Sequence, residues 1–104
     1  MKQVAFTMKL IPGNEAEYER RHREIWPELA SLLREAGIAE YHIFLDQSSH
    51  TLFAFQNLKE EKSKPDSLPE NAIMRRWWAY MADLMETNED LSPKVQPLQK
   101  VFSL

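Results

Sequence analysis

Glu40-Tyr41-His42-Ile43-Phe44-Leu45-Asp46 and Thr51-Leu52-Phe53-Ala54-Phe55-Gln56-Asn57, joined by Gln47-Ser48-Ser49-His50, form the stretch whose reading decides the fold. Successive side chains of a strand point to opposite faces. Tyr41, Ile43 and Leu45 therefore share one face, and His42, Phe44 and Asp46 the other. Two such apolar-rich runs around a short polar connection read as a β-hairpin. The hairpin lies mid-chain, so its flanks decide the topology. Upstream, Val4, Phe6, Met8 and Leu10 alternate and predict a strand over residues 4–10, which Pro12-Gly13 ends. Asn14 followed by Glu17 reads as an N-cap with glutamate at N3, opening a helix expected over residues 15–36. Its apolar stripe is Tyr18, His22, Ile25, Leu29, Leu32, Leu33 and Ala36, and Gly37 suits the position after its end. Pro27 has no N–H to give and predicts a kink or split near Ile25-Trp26.

Downstream, residues 59–71 carry charge, Pro65 and Pro69, and read as a loop. A second helix is expected over about 70–86, with Ile73, Trp77, Met81 and Leu84 on one face and Met74, Trp78 and Met85 widening it. Residues 88–97 are a polar, proline-marked connection, and residues 98–104 read as a closing strand. The order is β-α-β-β-α-β within one domain, 1–104. That is the ferredoxin-like α+β arrangement, a four-stranded antiparallel sheet with both helices on one face. Phe53 and Phe55 lie on one parity of the hairpin, and Leu52, Ala54 and Leu58 on the other. Helices cover one face only, so the second face would expose an apolar patch that monomers seldom tolerate. A two-fold homodimer, sheet against sheet, is the expected remedy.

The chain has 13 basic and 16 acidic residues, a net charge of −3, which gives no electrostatic footprint for nucleic acid or an anionic membrane. It contains no cysteine, which removes disulfides, thiolate metal sites and a thiol nucleophile, and fits the cytoplasm. No signal peptide is expected at Met1-Lys2-Gln3-Val4-Ala5-Phe6, and no run approaches the ~20 apolar residues of a membrane span. Gly13 and Gly37 are the only glycines, which rules out a glycine-rich phosphate or dinucleotide loop. The three histidines lack metal-ligand spacing, and no serine sits in a Gly-x-Ser-x-Gly elbow. No cofactor is expected.

Two features rise above this background. Tyr18 and His22 are four residues apart and share a helix face turned toward the sheet. A phenol and an imidazole there are either satisfied core residues or the lining of a cavity in which His22 moves protons. Trp77 and Trp78 are adjacent, and neighbours on a helix project about 100° apart, so one indole joins the core and the other faces a flank. The pair serves packing, a dimer contact or the wall of a sugar pocket.

Glu17-Tyr18-x-Arg20-Arg21-His22-x-x-Ile25-Trp26-Pro27-Glu28-Leu29 resembles the first-helix signature of L-rhamnose mutarotases, as Arg76-Trp77-Trp78-x-Tyr80-Met81 resembles that of their second helix. Tyr41-x-Ile43-x-Leu45-Asp46 and Leu52-Phe53-Ala54 are similar to that family too, so the resemblance spans nearly the whole chain. It implies a cytoplasmic homodimer with a dimeric α+β barrel that interconverts the α and β anomers of L-rhamnose without a cofactor. It makes His22 the proton donor and Tyr18, Tyr41, Trp77 and Trp78 the residues that bind the sugar. One segment departs from the family, which carries a regular stretch with a Trp where residues 59–71 here are charged and proline-marked.

Mutarotation opens the pyranose at C1 and recloses it on either face. The ring oxygen gains a proton and the anomeric hydroxyl loses one, so a proton donor near the ring oxygen is the minimum and a base for the hydroxyl accelerates the reaction further; one such group commonly gives ~10²–10⁴-fold, and an imidazole near its ordinary pKa can play either role. The base is expected to be water or a carboxylate such as Asp83. Two other readings stand beside this one: a cofactor-free monooxygenase of the same architecture, and a non-catalytic dimeric binding module with Tyr18 and His22 in its core.

Overall fold

In the computed structural model, residues 2–59 and 65–104 are described. The chain runs β1 (Lys2–Lys9), α1 (Glu15–Arg23), α2 (Pro27–Glu35), β2 (Ile38–Asp46), β3 (Thr51–Leu58), α3 (Ala72–Met81) and β4 (Gln96–Leu98). The strands form one antiparallel sheet in the order β2-β3-β1-β4. This is the ferredoxin-like α+β fold, and the central hairpin falls where its alternation predicts. In its register Tyr41 faces Gln56, Ile43 faces Ala54 and Leu45 faces Leu52. Phe6 and Met8 continue that face across β1, opposite Ala54 and Leu52. The core lies between this face and the helices, with Leu10, Leu29 and Leu52 at its centre.

Proline 27 divides the long helix instead of bending it. It takes the first position of α2, where the backbone donor it lacks has no partner to lose. Trp26 before it is extended, at φ −61° and ψ 130°, as a residue preceding proline prefers. The capping box expected at Asn14 does not form. The Asn14 side chain makes no capping bond; the Glu15 carboxylate accepts from Gly13 N at 3.2 Å, and Glu17 turns to Arg20 and Arg21. Gly37 closes α2 at φ 98°, a conformation that needs no Cβ penalty only in glycine.

Three boundaries differ from the sequence expectation. The loop expected over 59–71 contains a 3₁₀ turn at Pro65–Glu70, while residues 60–64 lie outside the described residues. The second helix starts later because Asn71 caps it, its side-chain oxygen accepting from Ile73 N at 2.8 Å. It ends at Met81, tightens into a 3₁₀ turn at Ala82–Leu84, and Met85 then becomes extended to bridge Leu10. The fourth strand is Gln96–Leu98, not 98–104, and pairs with Thr7 to Ala5 of β1. Beyond Leu98 the chain leaves the ladder, and Val101, Phe102 and Leu104 are exposed.

Candidate active site

Tyr18 and His22 lie one turn apart on α1, on the face turned toward the sheet. Their rings stack at 4.4 Å between centroids. Tyr18 is buried and His22 half-buried. The His22 ring meets Trp77 edge-on at 5.5 Å, so α1 and α3 touch through the imidazole itself. Tyr41 approaches from β2, its edge against Phe6 and its phenol bonded to the Gln56 side chain. Trp77 is buried while Trp78, one residue on, is only partly so, as the helical offset between neighbours requires.

These five side chains line one inner cavity of about 60 Å³. Tyr18, His22, Tyr41 and Trp77 also line a wider cleft of about 870 Å³ between the first helices and β2. His22 therefore stands in the wall that the two spaces share. Glu15, Glu19 and Gln47 give the outer cleft a polar rim. A small apolar hollow beside a larger cleft with a few converging polar groups is how small-molecule sites are usually built. Among the described residues no group of three or more His, Cys, Asp or Glu side chains could hold a metal ion.

The orientation of the imidazole has a chemical consequence. His22 Nδ1 is 3.0 Å from the Tyr18 backbone carbonyl oxygen. A carbonyl oxygen only accepts, so Nδ1 carries the hydrogen. In the neutral ring Nε2 is then the free lone pair. Burial holds the His22 pKa below its ordinary value, against a smaller opposing effect of that same bond. Burial also raises Tyr18, with Tyr41 nearby adding to the effect, and raises Tyr41, the latter partly offset by Gln56. Near neutral pH the site thus presents one imidazole base and two intact phenol donors.

Arg21, next to His22, locks α1 to the end of α3. Its guanidinium donates to Asp83 at 2.9 and 3.3 Å, to the Tyr80 carbonyl at 2.7 Å and to Glu17 at 2.8 Å, and lies 4.5 Å above the Tyr80 ring. Arg20 and Arg21 together pull the Glu17 pKa down to about 2. Asp83, named from the sequence as an example of a carboxylate base, is held by Arg21. Asp83 is spent on Arg21 and does not line the cavity. His50 stands 3.4 Å from Glu15.

Several contributors were not singled out from sequence. Trp26, noted at the proline break and in the first-helix signature but given no role in the site, packs edge-on against Trp77 at 5.1 Å and beside Tyr80 at 5.7 Å. Ile43 and Met74 line the cavity and were findable, since they share a parity with Tyr41 and a helix face with Trp77 and Trp78. Thr87, Leu91 and Pro93 line it from a loop with no periodicity to read.

Comparison with known proteins identifies the family. A family model described as L-rhamnose mutarotase matches residues 3–104. An L-rhamnose mutarotase of Acidiphilium cryptum is 55% identical over 100% of this chain and 99% of its own length. One from Bacteroides thetaiotaomicron is 49% identical with the same coverage. The crystal structure of an L-rhamnose mutarotase from Formosa agariphila superposes with a TM-score of 0.92 at 42% identity, covering 100% of this chain and 99% of that one. A candidate antibiotic biosynthesis monooxygenase from Bordetella bronchiseptica superposes at a TM-score of 0.65 with 16% identity over 96% of each chain, a likeness of fold alone.

Proposed function

The chain belongs to the L-rhamnose mutarotase family, isomerases that act on sugar anomers, and on that premise we propose how its own residues perform the reaction. The observation that carries the proposal is the His22 ring. Its Nδ1 is fixed on the Tyr18 carbonyl and Nε2 is left free in a wall shared with Tyr18, Tyr41 and Trp77. Nε2 takes the proton from the anomeric hydroxyl. As C1=O1 forms and the C1–O5 bond breaks, the imidazolium returns that proton to O5. O1 and O5 are bonded to the same carbon, so one imidazole serves both and no second carboxylate is needed. Rotation about C1–C2 and the reverse steps close the ring on the other face. A group acting in this way typically contributes ~10²–10⁴-fold.

The phenols of Tyr18 and Tyr41 hydrogen-bond the sugar and hold O1 and O5 within reach of His22. The Trp77 and Trp78 indoles pack on its apolar C–H face. The test is saturation-transfer NMR on L-rhamnose, where enzyme should exchange magnetisation between the two anomers. If the wild-type protein leaves the spontaneous exchange unchanged, the assignment fails.

The partner is a second copy of the chain. Phe44 is 63% exposed and Phe55 44%, on the sheet face that no helix covers, and Phe102 is 74% exposed beside them. A face of that kind is ordinarily closed by an identical one across a two-fold axis. Among the described residues no helix is long and apolar enough to cross a membrane. The cytoplasm is the proposed location, in keeping with a chain that contains no cysteine.

A further inference from the structure

Leu91 has φ 70°, a left-handed conformation that a branched side chain adopts only under constraint. The constraint is visible around it. Asn88 N donates to Ser92 O at 2.8 Å and Leu91 N to Asn88 O at 3.0 Å. The Asn88 side chain reaches Ser92 Oγ and the Pro93 carbonyl, and Asp90 accepts from Ser92. Thr87 bridges Pro93 and Lys94 N bonds Glu86 O, so the turn is tied shut at its base. Asparagine or glycine would suit the same turn without strain. Strain of this kind persists where the surroundings over-determine it, and it collects at functional sites.

The side chain lies where a ligand would meet it. Leu91 lines the inner cavity together with Tyr18, His22, Tyr41, Trp78 and Met85, and Thr87 adds a hydroxyl to that lining. Its 60 Å³ is room for about four waters, ample for one substituent of a sugar ring. Ring oxygen O5, which must face His22, is bonded to C5, and C5 carries C6. A sugar standing in the wider cleft with O5 at His22 has room to place C6 in the inner cavity. In a 6-deoxy sugar that substituent is a methyl group.

We propose that Leu91 is a specificity-determining residue: it gives the cavity an apolar lining, so that the site accepts a C6 methyl group and disfavours a C6 hydroxymethyl. This rests on the reaction assigned above. An apolar pocket discriminates against an added hydroxyl by at most ~100-fold, so the expected preference is of that order or less.

The experiment compares L-rhamnose with L-mannose, which differs from it only by a hydroxyl on C6. Anomer exchange is measured by NMR for wild type, Leu91→Asn and Leu91→Met. Wild type should favour L-rhamnose in kcat/KM. Leu91→Asn should reduce that preference about tenfold, the effect of losing one well-placed apolar contact, while its thermal midpoint stays level or rises because the strain is relieved. Leu91→Met should keep the preference without gaining stability. A purely structural Leu91 would move the midpoint and leave the sugar ratio alone, and that result overturns the proposal. So does a wild-type enzyme that treats both sugars equally. If wild type exchanges neither sugar's anomers, the assigned reaction falls first and this inference falls with it.

Discussion

The two faces of the sheet are built from the same strands, yet they differ in everything that matters for chemistry. On the covered face Tyr41 alternates with Ile43 and Leu45, meets Tyr18 and His22 from α1, and lies under Trp77. On the bare face His42, Phe44, Phe53 and Phe55 form an apolar surface open to solvent or a partner. Each face has a histidine. His42 is exposed, with Glu40 at 3.2 Å, while His22 is half-buried with one nitrogen fixed on a backbone carbonyl. Burial with a single defined hydrogen bond gives a ring a fixed tautomer and a usable lone pair.

That contrast breaks if a covered-face change alters assembly or a bare-face change alters chemistry. The largest effect is expected from His22→Ala, which should lower enzyme-driven anomer exchange by ~10²–10⁴-fold with an unchanged circular dichroism spectrum. Retained exchange would move the proton transfer to another group. Next comes Phe55→Asp. A buried aromatic at the centre of an interface is worth about 2 kcal/mol or more, and two-fold symmetry applies the change twice. Light scattering should show the mass fall from dimer to monomer, while exchange per chain is largely retained. A wild-type protein that is already monomeric would show that the bare face serves something else.

How much of this was legible in the sequence follows from the same contrast. Strand alternation sorted Tyr41 from His42 correctly, because the side-chain period of a strand is fixed by covalent geometry. Helical spacing placed Tyr18 with His22 and separated Trp77 from Trp78 for a similar reason. What stayed hidden depends on contacts between distant segments. Asp83 looked available as a base because nothing local reveals that Arg21, sixty-two positions away, holds it. Leu91 looked like an ordinary loop residue, since a positive φ on leucine comes from the hydrogen bonds of the closed turn and leaves no mark in composition. The fourth strand was drawn too long because its apolar residues, Val101, Phe102 and Leu104, do resemble a strand; in the structure they are exposed.

A smaller effect is expected at Arg21, which holds the covered face together from its edge. Arg21→Ala removes the fork to Asp83, the bond to the Tyr80 carbonyl and the contact over the Tyr80 ring. The end of α1 should loosen from α3, taking His22 away from Trp77. A lower thermal midpoint together with a reduced kcat is expected. Lysine carries the charge but neither the planar fork nor the stacking, so Arg21→Lys should recover only part of both. Full recovery by lysine would reduce the contact to charge alone.

The smallest effect concerns pH and tests the buried histidine environment directly. Burial lowers the His22 pKa below its ordinary 6.5, so the folded ring resists the proton that the unfolded ring accepts. Between the folded value and 6.5 the unfolded chain holds more protons, and stability falls as pH drops through that window. Above 6.5 both states are neutral at this ring and its contribution is whole. Lowered carboxylates such as Glu17 and Asp83 act through lower pH, where they take up protons, so they do not mimic this step. Urea midpoints measured at pH 7 and pH 5.5 should therefore differ less in His22→Phe than in wild type. The folded ring loses the free lone pair at Nε2 only as pH falls through its own lowered value, so anomer exchange should hold across that window and fall below it. An exchange rate that rises on acidification beyond the uncatalysed background would mean that the ring acts first as an acid, and the order of proton transfers would have to be reversed.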